Sequence, residues 1–234
     1  MLGALDGIGP AGGRGRKVTL FVLAACERVP HTPVTEAERR GLALLRAFAD
    51  GHMPLADVVS GLARVYDEGR DGSRTGRYYP FYDPAVDDPE VARFVAEKAA
   101  IVTAWHQSAD AIRRDDPGAF ERCGPNWKTQ GLDLPEWRAA YRTAKLAQAE
   151  LLRDILGNPF RTVAIDPAWL TWNHGTVRAV ARRCHDDESF HDLPILADAL
   201  EDAGCASEEI LGHCRSGGPH VRGCWVVDLL LGKA

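Results

Sequence analysis

Cysteines and histidines crowd the last third of this chain, and their residue types are the ones that could do chemistry. Residues 157 to 234 hold Cys184, Cys205, Cys214 and Cys224 together with His174, His185, His191, His213 and His220. Thiolates and imidazoles are zinc's preferred ligands, and structural zinc wants them in pairs two to four residues apart, so that short turns preorganise a tetrahedron. The spacing here does not meet that requirement. Cys214 and Cys224 lie ten positions apart and Cys205 and His213 eight, while only His220 and Cys224, four apart, have a knuckle spacing. No cofactor is therefore expected, and the set His213, Cys214, His220 and Cys224 stands as the alternative metal site. The same residues frame a possible thiol nucleophile, because Cys214 or Cys224 would need a histidine and positive surroundings. His213, Arg215, His220 and Arg222 supply both locally, but no nucleophile motif surrounds either thiol. No catalytic residue is assigned. His185-Asp186-Asp187-Glu188 reads as a solvated helix end, and Asp198, Glu201 and Asp202 as the polar flank of an amphipathic helix.

Two loops could make contacts. Tyr78, Tyr79, Phe81 and Tyr82 surround Pro80, with Arg70, Arg74 and Arg77 beside them. Four aromatics around a proline suit a lid on the core first and a surface for a protein partner second. His220 and Arg222, inside Gly-Pro-His-Val-Arg-Gly-Cys, are the other candidate binding residues. Aromatics beside arginines also suit stacking on single-stranded nucleic acid. The net charge of −5 argues against that partner, since nucleic-acid binding needs a basic surface. Gly7-Ile8-Gly9-Pro10-Ala11-Gly12 matches the dinucleotide fingerprint in form only, because no strand precedes it and Pro10 interrupts it.

The elements that must position these residues read as helices. Alanine, leucine, arginine and glutamate abound and β-branched runs are few. Thr35 and Glu38 form a capping box before a stripe at Leu42, Leu45 and Phe48, with Gly51 at its end. Pro54 opens a second helix and Pro89 a third, the latter with Val91, Phe94, Val95, Lys98 and Val102 as its expected apolar face. Pro135 opens a fourth, lined by Trp137, Tyr141, Ala144, Ala147, Leu151 and Ile155. Asp166-Pro167 repeats the cap-plus-proline start. Val177, Val180, Ala181 and Cys184, then Leu193, Leu196, Ala197 and Leu200, recur at helical spacing, with Gly204 as a left-handed cap. Trp225 to Leu231 is expected to be a last helix, with Trp225 anchored against Leu193, Leu196 and Leu200 and His220 left in solvent.

Six cysteines without a CxxC pair read as reduced thiols of a cytoplasmic protein. No apolar run approaches the length of a membrane span, so no membrane partner is expected. Leu23-Ala24-Ala25-Cys26 does match a lipoprotein cleavage box, which would lipidate Cys26. The apolar core before it, Val18 to Ala25, covers only eight residues, and a buried first helix accounts for it better.

Three C-terminal strings carry a resemblance: GNPFRTVAIDPAWL at 157–170, LPILADALEDAGC at 193–205 and GPHVRGCWVVDLLLGK at 218–233. They resemble a family of bacterial hypothetical proteins that occurs in many copies in some large bacterial genomes. The segment from Lys17 to Glu27 resembles the first helix of that family, which also speaks against lipidation at Cys26. The resemblance covers about a third of the chain specifically. It implies kinship and supplies no activity, cofactor or site.

The chain thus reads as all-α, with a disordered Gly-rich leader at 1–16, a helical region at 17–150 that includes the aromatic loop at 69–88, and a helical C-terminal module at 151–234. The function these features support is a non-enzymatic protein-interaction or regulatory module. A metal- or thiol-dependent enzyme centred on the C-terminal Cys/His set is the alternative.

Overall fold

A computed structural model describes residues 11–29, 36–69, 89–116, 118, 134–161 and 163–233. Among them the fold is all-α, as the sequence predicts. The helices are α1 (Ala11–Glu27), α2 (Glu36–Ala49), α3 (Leu55–Gly69), α4 (Pro89–Asp115), α5 (Pro135–Leu156), α6 (Pro167–Thr171), α7 (Thr176–Asp186), α8 (Leu193–Asp202), α9 (Glu208–Arg215) and α10 (Trp225–Leu231). Short 3-10 turns at Trp172–Gly175 and Phe190–Asp192 lead into α7 and α8. The aromatic residues Tyr78, Tyr79, Phe81 and Tyr82 lie outside the described residues, as does the capping box at Thr35.

Two apolar cores organise the chain. The first surrounds α1, whose Val18 and Leu20 to Cys26 are all buried, against Leu45, Val58, Leu62, Ala96 and the end of α5 at Leu151, Leu152 and Ile155. A helix buried on every side explains why the Val18-to-Ala25 run is apolar without a period. Cys26 is core material within that helix, and burial pushes its thiol up. No described helix is long and apolar enough to cross a membrane. The helix also begins earlier than expected: residues 11–16 belong to α1, and residues 1–10 lie outside the description. Arg16 fixes that first stretch by bonding to the Ala49 carbonyl and to Asp228.

The second core is built from the helices after residue 163. Val177, Ala181, Cys184, Leu193, Leu196, Ala197 and Leu200 are buried as their spacing predicts, and Val226, Val227 and Leu230 of α10 complete it. Trp225 is not its anchor. It lies half-buried at the rim, because the α10 register turns Val226 and Val227 inward instead.

The expected face of α4 is corrected as well. Phe94 is exposed, and the buried side carries Ala96, Ala99, Ala100, Ala104, Trp105 and Ile112. The small side chains leave room for α5, whose Gln148 donates to the Ala96 carbonyl at 2.6 Å while Trp137 stacks on Tyr141. Phe94 marked the wrong side because the contact selects for closeness, which alanine permits and phenylalanine does not.

Candidate metal centre

The buried stripe of α5 ends in a charged residue. Asp154 sits one turn beyond Leu151 on the same face and is 3% exposed. An isolated buried carboxylate is costly, so it must be paired. Its partners come from two segments far along the chain. The Oδ1 atom lies 2.7 Å from His220 Nδ1 and 3.2 Å from His213 Nε2. Oδ2 accepts the Val221 backbone N–H at 2.9 Å. His213 Nε2 also lies 3.1 Å from the Cys224 sulfur. The ligand-type atoms of Asp154, His213, His220 and Cys224 all fall within 4.8 Å of one another.

Local backbone chemistry produces this convergence. α9 is capped by the Ser207 hydroxyl, which accepts from Ile210 N–H, and it carries His213 in its last turn. The Ser216 hydroxyl donates back to the His213 carbonyl at 2.8 Å, turning the chain off the helix. Residues Val221 to Cys224 then form a turn closed by Cys224 N–H on the Val221 carbonyl. Gly223 occupies that turn at φ 95°, where a Cβ would meet Leu20 of α1 at 2.7 Å. At the end of α5, Gly157 has φ 64° and ψ −145°, a region essentially closed to other residues, and Trp225 covers it at 2.9 Å from a would-be Cβ. Gly157→Ala is expected to lower stability by about 1–3 kcal/mol from backbone strain, with the Trp225 contact adding to it. Denaturant melts check this, and an unchanged midpoint would contradict the geometry.

Of the set His213, Cys214, His220 and Cys224, three come together and Cys214 does not. Successive residues on a helix point about 100° apart. His213 therefore faces the centre while Cys214 faces the second core beside Cys184 and Cys205, where burial pushes its thiol up to about 12. Cys214 is core, and Asp154 takes the fourth place. Of the two candidate contact residues, His220 is not in solvent, its side chain being 9% exposed. Arg222 is committed within the chain: it forks onto both oxygens of Asp50 at 2.9 and 3.0 Å and reaches Glu188 at 3.3 Å.

The electrostatics bear on what the centre can do. Burial penalises the Asp154 carboxylate, but the bonds from His213, His220 and the Val221 N–H outweigh it and hold its pKa below the usual range. Burial likewise opposes a proton on His220, yet the Asp154 hydrogen bond and charge prevail and raise its pKa. The Cys224 thiol is pushed well above its ordinary value, by burial first and then by the Asp154 charge.

A cysteine–histidine–aspartate relay does not fit this arrangement. Such a relay places the carboxylate on the ring nitrogen remote from the nucleophile, so that the imidazole can carry a proton along a line. Here the carboxylate and the thiol both face the same nitrogen, Nε2 of His213. A thiol held protonated by burial is a poor nucleophile besides. What the atoms share is a common point.

Carboxylate, imidazole and thiol are donor types that a transition-metal ion takes. Tetrahedral zinc bonds of about 2.0–2.3 Å set neighbouring ligand atoms roughly 3.3–3.7 Å apart. Three of the separations, 2.7, 3.1 and 3.2 Å, are hydrogen-bond distances shorter than that figure, while the set as a whole extends to 4.8 Å, so a bound ion would draw the four donors into a more even arrangement. His220 also has the outer contact that metal-bound imidazoles use, with Nε2 placed 3.2 Å from the Ser216 carbonyl. A ring with its proton on Nε2 would aim the Nδ1 lone pair at the Asp154 carboxylate. That lone-pair contact requires a proton or a cation between the two atoms. No family model, curated protein or solved structure matches this chain.

Proposed function

We propose that the protein is a metal-organised helical module, in which Asp154, His213, His220 and Cys224 hold one Zn²⁺-class ion. The observation that carries this reading is the sharing of His213 Nε2 between a carboxylate and a thiol, with His220 closing on the same carboxylate oxygen. A mixed set of two imidazoles, one thiolate and one carboxylate suits zinc better than calcium or magnesium, which prefer oxygen alone.

Four protein ligands fill a tetrahedron, and a filled tetrahedron is the mark of a structural site, since catalytic zinc keeps a position for water. Asp154 and Cys224 are 3% and 0% exposed, which further favours a site closed to substrate. The ion's work is therefore to join three chain segments that are distant in sequence, His220 and Asp154 being 66 residues apart. The protein acts through the surfaces this arrangement presents, as a non-enzymatic interaction module.

Elemental analysis of the full chain purified without chelator tests the proposal. The expected content is one zinc per chain, retained on dialysis. Co²⁺ replacement should give the absorption of a tetrahedral thiolate complex, lost in Cys224→Ser. Protein free of metal that takes up no Co²⁺ would overturn the reading.

A further inference from the structure

The ammonium of Lys17 lies behind the centre, in α1, with all three of its donors used. It bonds to the Ile155 carbonyl at 3.0 Å, to the Gly223 carbonyl at 3.1 Å and to Asp228 Oδ2 at 2.6 Å. Two of those acceptors adjoin metal ligands: Ile155 follows Asp154, and Gly223 precedes Cys224. One buried group thus ties together the two backbone segments that carry the anionic ligands. We infer that Lys17 is a positioning residue of the metal centre, fixing the separation of Asp154 and Cys224 through the carbonyls beside them. This rests on the metal reading above.

The physical reason is the narrow tolerance of a coordination sphere. Ligands must be held within about 0.5 Å of their working positions by groups that are themselves locked. Both ligand segments lie at helix ends, Asp154 in the last turn of α5 and Cys224 immediately before α10, and neither helix fixes the distance between them. The loop carrying Cys224 depends on the left-handed turn at Gly223 and the contact with Leu20. Lys17 supplies from α1 a rigid three-way junction, buried to 7% exposure and packed within the first core. The N-terminal helix becomes part of a site whose ligands all lie in the second half of the chain.

Arg16 provides an internal control. It bonds to the same Asp228, at 2.5 and 3.2 Å, and also to the Ala49 and Lys233 carbonyls, but to neither ligand-bearing carbonyl. Both side chains contribute to one ion cluster, and only Lys17 reaches the metal segments.

The test is Co²⁺ titration of the full-length apoprotein, followed by its visible spectrum, in the wild type, Lys17→Met and Arg16→Met, each well below its melting temperature. Lys17→Met is expected to lower Co²⁺ affinity roughly 10- to 100-fold, as loss of an outer-shell partner does, and to shift the thiolate-to-cobalt band. Arg16→Met should leave both within about threefold of the wild type. Lys17→Arg keeps the charge beside Asp228 but presents a planar fork in place of the three-way ammonium, and it should weaken binding in the same direction. It serves as the decisive variant if Lys17→Met does not fold. Equal affinity and an unchanged spectrum in the Lys17 variants would overturn the inference while leaving the metal site standing. Equal loss in the Lys17 and Arg16 variants would overturn it too, assigning the effect to the ion cluster. A wild type that binds no Co²⁺ would sink the metal reading and this inference together.

Discussion

With the proposed ion bound, chelator is expected to lower the melting temperature of the purified protein by roughly 8–16 °C. The figure follows from linkage. An ion present at a thousand times its dissociation constant stabilises the folded state by about 4.1 kcal/mol. In chains of this size each kcal/mol moves the midpoint by about 2–4 °C. Single-ligand variants should show much of the same loss from the other direction. Structural zinc sites release about 10–16 kcal/mol on binding, so one ligand of four carries about 3 kcal/mol, roughly 100-fold in affinity. His220→Ala should therefore keep only about 1.4 kcal/mol of that linkage, a zinc-dependent shift of roughly 3–6 °C. Cys214→Ala is the contrasting case: Cys214 is buried in the second core, so the variant should destabilise the fold yet retain its metal-dependent shift. Scanning calorimetry with and without chelator separates the two. A wild type whose melt ignores chelator would refute the account.

That expectation reverses the sequence-based one for His220, and the reversal shows what was legible. Helix identity and the second core could be read because they depend on local spacing. Val177, Ala181 and Cys184, like Leu193, Leu196 and Leu200, repeat at one turn and are buried where the repeat puts them. The capping roles of Asp166 and Ser207 are equally local, each side chain accepting a backbone N–H within three residues. The centre was not legible because its ligands are not local. Counting intervals among Cys214, His220 and Cys224 tests only for a site made within one loop, whereas this one draws its carboxylate from α5. One signal was available. In Leu151-Leu152-Arg153-Asp154-Ile155 an acidic residue stands on the buried face of an amphipathic helix, and such a residue needs a partner from elsewhere. Phe94 of α4 misled for a different reason: a stripe of alanines carries little hydrophobicity per residue, and its burial follows from the neighbour's shape.

Replacing Asp228 by Asn is expected to cost about 3–5 kcal/mol, a large part of a typical total of roughly 5–15 kcal/mol. Asp228 is wholly buried in α10 and pairs with two cations from α1, Arg16 at 2.5 Å and Lys17 at 2.6 Å. The cost arises because the substitution leaves both cations inside without a counter-charge, which is worse than never burying the pair. An exposed pair such as Arg215 with Asp198 offers the comparison, and Asp198→Asn should leave the urea midpoint essentially unchanged. Acid should reveal the same interaction. Burial opposes the Asp228 carboxylate, but Arg16 and Lys17 outweigh it and hold its pKa below the usual range. A carboxyl depressed in the folded state adds stability that is complete above its unfolded pKa of about 3.9 and disappears as pH falls through the folded value. Wild type should thus lose stability on acidification below about pH 4 more steeply than Asp228→Asn, which has no such proton to take up. Asp154, depressed in the same sense, contributes equally to both proteins and cancels in the comparison. Urea melts of the two proteins from pH 7 to pH 3 measure the difference directly. Parallel curves would mean that the Arg16–Lys17–Asp228 cluster adds nothing to folding and that α1 is held by its apolar faces alone.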